Sequence, residues 1–204
     1  MTVTSKKSTS GGGWLVGAIL AGLLAVGCAP KPPPDYFLLN TMAPTPSPGF
    51  EKGVRVGLGP VEIEAYLNRN QIVSKETVTK LRISEQSVWA EPLKAGVTRI
   101  LLVNLALELD SNRIYNLPMR QQQPLDYQVP IDVLRFDGKL GLGNEVVLGA
   151  RWSLLSGNGR DVLVTKVSRI LEPIVGDGME AFVDAQSRAV ARLAGEIAGA
   201  IKAQ

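Results

Sequence analysis

The chain has 204 residues with 22 basic and 19 acidic side chains, no histidine and a single cysteine. A formal charge of +3 without a clustered basic stripe argues against nucleic acid as a partner. The missing histidine removes the commonest general base and metal ligand, and one cysteine cannot form an intramolecular disulfide.

The elements begin with a targeting segment. Lys6 and Lys7 form a basic flank, and Trp14–Val26 is a run of 13 residues without a charged or polar side chain. That length suits the apolar region of a signal peptide and falls short of the ~20 residues of a membrane-spanning helix. Ala25-Val26-Gly27-Cys28 resembles the bacterial lipobox, which implies lipid attachment to Cys28, cleavage after Gly27 and acylation of the new amino terminus. Loss of Lys6 and Lys7 takes the formal charge from +3 to +1. Each buried methylene contributes ~0.8 kcal/mol and a stable anchor needs more than one chain, so a triacylated cysteine suffices to hold the protein on a membrane. Ala29 stands where an aspartate would resemble an inner-membrane retention signal, which implies an outer-membrane, periplasm-facing location. Lys31–Asp35 carries Pro32, Pro33 and Pro34; at ~3.1 Å per residue of polyproline geometry, the stretch from Cys28 to Tyr36 spans roughly 25 Å. The expected organisation is a signal peptide over 1–27, an acylated cysteine and tether over 28–35, and one domain over 36–204.

Within that domain Tyr36–Asn40 reads as an opening strand, broken by the prolines of Ala43–Gly49. Val54–Leu58 alternates as a strand and ends at Gly59-Pro60. Gln71–Lys75 and Lys80–Ser84 form a candidate hairpin around Glu76–Thr79. Across Glu91–Leu109 the period changes: Leu93, Val97, Ile100, Leu101, Asn104, Leu105 and Glu108 share one helical face, with Pro92 at the first helical position. Asn112–Leu125, with three glutamines and two prolines, reads as an exposed loop. Tyr127–Asp137, Glu145–Ser156 and Asp161–Glu172 are long strands, the last two joined by the turn residues of Ser156–Asp161. Met179–Ala203 repeats Phe182, Val183, Val190, Leu193, Ile197 and Ile201 as an amphipathic helix. Its polar face mixes acids and bases, which favours packing on the sheet over lying on a membrane. The order predicts an α+β fold: a mixed, largely antiparallel sheet with two main amphipathic helices packed on one face.

Few residues suggest chemistry. Gly57-Leu-Gly59-Pro60 and Gly141-Leu-Gly143 lack the full spacing of a dinucleotide-binding loop and read as turn or bulge glycines. Glu62 and Glu64 would face one side of a strand, yet no buried partner is in view to shift them, so they read as solvated acids. The residues single out no catalytic group, metal site or cofactor, although carboxylate or lysine chemistry stays open in principle.

Three stretches together resemble the ABC-type transport auxiliary lipoproteins, the PqiC-like family. They are Gly59–Val73 (GPVEIEAYLNRNQIV), Trp89–Leu93 (WAEPL), and Val133–Asp137 followed by Ala150–Leu154. Glu64, Asn68 and Asn70 depart from the family's usual proline, aspartate and proline. The resemblance implies a non-enzymatic, periplasm-facing outer-membrane lipoprotein that works beside a mammalian-cell-entry (MCE) domain protein and inner-membrane transporter subunits in lipid transport and envelope integrity. It makes Tyr66, Leu67, Arg69 and Trp89 candidates for a partner-docking surface, with core packing as the competing reading; homo-oligomerisation is left open. A structural or assembly lipoprotein unrelated to transport is the second hypothesis. An envelope hydrolase is a third, and it lacks a recognisable nucleophile–base pair.

Overall fold

A computed structural model describes residues 1–2, 4, 32–41, 53–119, 123–141 and 144–204. Lys6, Lys7, the apolar run, Cys28 and the loop over 43–49 lie outside the described residues. From Pro34 onward the chain forms one unit of eight strands and two long helices among the described residues. In chain order these are β1 (Asp35–Phe37), β2 (Val56–Ile63), β3 (Gln71–Lys75), β4 (Leu81–Trp89), α1 (Leu93–Glu108), β5 (Ile114–Asn116), β6 (Tyr127–Gly138), β7 (Glu145–Ser156), β8 (Val162–Pro173) and α2 (Gly178–Lys202).

The fold is α+β, as its pattern implies, with the mixed sheet divided in two. The larger sheet has the order β5-β2-β6-β7-β8; β2 pairs in parallel with β5 and β6, while β6, β7 and β8 form a long antiparallel meander. The smaller sheet, β1-β4-β3, consists of the antiparallel β3–β4 hairpin with β1 added in parallel. Alternation on β7 decides which face is covered. Val146, Leu148, Ala150, Trp152 and Leu154 are buried under the helices, whereas Arg151 is exposed on the opposite face. Helix α2 packs on β7 and β8, α1 packs on β2 and β5, and the helices pack on each other.

Both helices bury the apolar stripe that their period marks, while Glu108, which its spacing placed on the same face of α1, is exposed. In α1, Leu93, Val97, Ile100, Leu101, Asn104 and Leu105 are buried, and the Asn104 amide donates to the Ile100 carbonyl at 3.0 Å instead of remaining unpaired. Pro92 stands one place earlier than expected, at the N-cap, where its lack of an N–H is equally harmless. The charged residues of α2 do more than solvate it. Arg188 and Arg192 reach Glu172 at 3.3 and 3.0 Å, and Glu196 accepts from Lys166 and Ser168 at 2.7 and 2.6 Å. Their spacing of four residues keeps all three above β8.

Four boundaries differ from the sequence pattern, the first being the opening strand, which spans Asp35–Phe37 instead of Tyr36–Asn40. Gly59-Pro60 does not end β2; the strand continues to Ile63, and its pairing with β6 skips from Leu58 to Val61 as a bulge. Proline has no N–H to give the ladder, and Gly59 takes φ +117°, which a side chain would resist. Strand β4 runs past Ser84 to Trp89 because Ser87–Trp89 pair with β1, although Ser84–Ser87 carry no apolar alternation. The stretch 112–125 is not wholly loop: Ile114–Asn116 pair with Val56–Leu58 at the sheet edge.

Candidate functional site

The turn after β2 carries most of the residues singled out by the family-like block. Backbone bonds close it: Leu67 N–H donates to Glu64 O at 2.9 Å, and Asn68 N–H to Ala65 O at 3.2 Å. Arg69 closes the turn with its Nε, 3.0 Å from the Tyr66 carbonyl. Leu67 points inward and is 2% exposed, a burial that stabilises by about 1.5–3 kcal/mol. Trp89, 7% exposed, also belongs to the core, and its backbone N–H donates to Asn70 O at 2.7 Å. Of the four candidate docking residues, then, Leu67 and Trp89 hold the turn from beneath, while Tyr66 and Arg69 are half-buried at its surface.

Tyr66 leads to a polar centre that its motif does not disclose. Its hydroxyl donates to Asp137 Oδ2 at 2.9 Å, and Arg135 Nε donates to Asp137 Oδ1 at 2.8 Å. Lys75 Nζ stands 3.9 Å from the same Oδ1, close enough for attraction and beyond hydrogen-bond reach. The Asp137 side chain is only 1% exposed, on the face of β6 opposite the helices. Burial, and then the hydrogen bond to Asp137, hold the Tyr66 hydroxyl well above the usual phenol range.

Beside this centre opens a cleft of about 440 Å³ between the β3–β4 turn and the β6–β7 end. Lys75, Arg135 and Lys139 line it, together with Asn144, Glu145 and Val78. An adjoining groove continues past Tyr66, Leu81 and Leu134. Gly138 permits the close strand approach behind the cleft, since a Cβ there would overlap the Glu145 carbonyl oxygen. Of the residues lining the cleft, only Arg135 falls within a family-like stretch, Val133–Asp137, and that resemblance gave it no role. The available sign was Arg135-Phe136-Asp137, which places a cation and a carboxylate two apart, on one face of a strand otherwise rich in buried apolar residues.

The other candidates are plain. Glu62 is exposed and pairs with Lys94 at 2.8 Å, Glu64 is exposed, and the two do not converge on a buried reacting position. Gly57 serves packing, because a Cβ there would meet the side chains of Leu125 and Leu117 at 2.7 and 2.8 Å. Gly141 has φ +114°, a turn conformation, and Gly143 lies outside the described residues. Among the described residues no acidic cluster is arranged to hold a metal, and no helix is long and apolar enough to cross a membrane.

Comparison with known proteins supplies the family. The sequence model described as an ABC-type transport auxiliary lipoprotein component matches residues 36–198. A crystal structure of an uncharacterised protein aligns with TM-score 0.68 at 19% identity, covering 83% of this chain and 99% of that one. A Xanthomonas campestris protein aligns with TM-score 0.65 at 15% identity, covering 81% and 93%. At these identities the likeness is one of fold. No match is found among curated proteins.

Proposed function

The chain belongs to the ABC-type transport auxiliary lipoprotein family, and from that premise we propose that it is the outer-membrane-anchored docking subunit of an MCE-type lipid transport system. It acts as an auxiliary component and not as an enzyme. The observation that carries this reading is the family match over residues 36–198, preceded in the same chain by a lipobox-like sequence ending at Cys28.

In this reading residues 1–27 are removed, Cys28 carries the acyl chains, and 28–35 form a tether on the periplasmic side of the outer membrane. Residues 36–204 form the body that meets an MCE-domain protein and, through it, the inner-membrane transporter subunits. Strand β1 starts at Asp35, the last residue of the proposed tether, which is compatible with this division. Tyr66 and Arg69 are the accessible members of the docking turn, with Leu67 and Trp89 fixing its shape from below.

The test is purification of the acylated protein from membranes with identification of what accompanies it, alongside radiolabelled palmitate incorporation. An MCE-domain protein in the purified complex and label at Cys28 are expected. Label without any transport partner would favour a structural or assembly lipoprotein, and absence of label would remove the anchor.

A further inference from the structure

We infer that the cleft between the β3–β4 turn and the β6–β7 end is an oxyanion-binding site that takes a phosphate group, free or esterified. The inference rests on the cleft alone and does not require the partner proposed above.

Charge and geometry carry it. The lining holds three cations, Lys75, Arg135 and Lys139, against one carboxylate, Glu145. Asp137 lies behind them and is already engaged through both oxygens, by Tyr66 and Arg135. Arg135 meets that carboxylate through Nε, which leaves the two terminal nitrogens of its fork out of the contact. A guanidinium held from behind by a buried carboxylate is oriented before any ligand arrives, and its planar fork suits two oxygens of one anion. Lys75 is 3.9 Å from Asp137 and keeps its N–H donors for a nearer acceptor. Lys139 is exposed and has no hydrogen bond or ion pair among the described residues. Three cationic side chains therefore line one concave space of about 440 Å³, ample for a phosphate. A cleft walled by protein also focuses the potential of its cations, raising the local concentration of anions.

The adjoining surface distinguishes the two sources of phosphate. Val78 is 87% exposed at the hairpin tip, and Leu81 and Leu134, each 36% exposed, line the neighbouring groove. A phosphate carried on an apolar body would cover these residues, whereas free phosphate would leave them in water.

The experiment is titration calorimetry on the full chain in non-ionic detergent, with inorganic phosphate in one arm and dihexanoyl phosphatidylglycerol in the other. Saturable binding that weakens with added salt is expected in at least one arm. Lys75→Gln and Lys139→Gln should each weaken it about tenfold, the scale of one lost charge-assisted hydrogen bond. Lys139 is exposed and makes no hydrogen bond or ion pair among the described residues, so Lys139→Gln is expected to leave the unfolding midpoint unchanged. Tighter binding of the short-chain lipid, lost on Leu134→Ser, would assign a lipid headgroup; equal or tighter binding of inorganic phosphate would assign a free phosphate or small ester. No saturable binding in either arm, or binding that both lysine variants leave unchanged, would overturn the inference.

Discussion

Replacing Asp137 should reveal how much of this domain depends on one buried carboxylate. Its side chain is 1% exposed and accepts hydrogen bonds from Tyr66 and Arg135 at 2.9 and 2.8 Å. Bonds to a charged partner contribute about 1.5–3 kcal/mol each, so Asp137→Ala forfeits roughly 3–6 kcal/mol in gross terms. Two effects reduce that loss. The variant no longer keeps a carboxylate out of water, a desolvation cost of several kcal/mol. Lys75 and Arg135, with side chains 22% and 35% exposed, can also turn to solvent. A net loss of about 2–3 kcal/mol is expected. Tyr66→Phe removes one donor from the buried Oδ2 and should cost about 1.5–3 kcal/mol, an unmade bond being costlier than an absent pair. Once Asp137 is gone, the same tyrosine change should cost little.

Urea unfolding of the four proteins in that cycle, compared at constant slope, measures the coupling. A coupling of about 1 kcal/mol or more is expected; additive losses would refute the Tyr66–Asp137 pairing, and so would an Asp137→Ala variant within about 0.5 kcal/mol of the parent. The alkaline limb gives an independent check. With the folded pKa of Tyr66 raised by burial and by Asp137, its contribution is fully present below about pH 10 and is lost as pH rises from there toward the folded value. Phenolate absorbance should therefore show Tyr66 titrating above the usual phenol range, and Asp137→Ala should bring it back toward that range.

Other expectations follow from single contacts. Acidification should destabilise the parent more steeply than Asp126→Asn. The Arg55 hydrogen bond holds Asp126 below the usual carboxylate range, so its stabilisation is present above about pH 4 and lost as pH falls below it; acid unfolding monitored by circular dichroism reads this. Gly157→Ala should lower stability by about 1–3 kcal/mol in denaturant unfolding, because a Cβ there would overlap the Leu125 carbonyl oxygen. Glu172→Gln should cost about 1–3 kcal/mol in the same assay by weakening the contacts to Arg188 and Arg192 that fasten α2 to β8. Cys28→Ala should release a folded protein from the membrane fraction and abolish palmitate labelling.

The legible parts of this fold are those in which a side-chain period and a backbone partner coincide. Helix α2 repeats Phe182, Val190, Leu193 and Ile197 on one stripe, and β7 alternates Val146, Leu148, Ala150, Trp152 and Leu154, so each announces both its type and its buried face. Strand β5 announced nothing. Its three residues owe their extended form to pairing with Val56–Leu58, a long-range fact that no local pattern carries. The second half of β4 was hidden for the same reason, since Ser84–Ser87 look like loop until β1 supplies the ladder. At Gly59-Pro60 the local rule was sound, for proline does interrupt the hydrogen-bonded ladder, yet a bulge lets the strand resume one step later.

The candidate site was half legible for a related reason. Motif similarity marked Tyr66, Leu67, Arg69 and Trp89, but it could not sort surface from core; Leu67 and Trp89 proved to be packing residues beneath a turn whose exposed rim is polar. What gives Tyr66 its significance is Asp137, some seventy positions later, and the link runs through a face of β6 that apolar periodicity alone would leave to solvent. The bond makes the turn after β2 and the cationic cleft parts of one arrangement. Tyr66 holds Asp137, Asp137 holds Arg135 by Nε, and Arg135 is one of the residues that line the cleft. A perturbation at the turn thus has a physical route to the cleft through two hydrogen bonds, and Tyr66→Phe distinguishes that route from mere proximity. If the chain of bonds positions Arg135, the substitution weakens phosphate binding although Tyr66 donates nothing to the anion, and restoring stability elsewhere in the protein does not restore the affinity. If Tyr66 only packs, Phe keeps the ring and the affinity stays where it was.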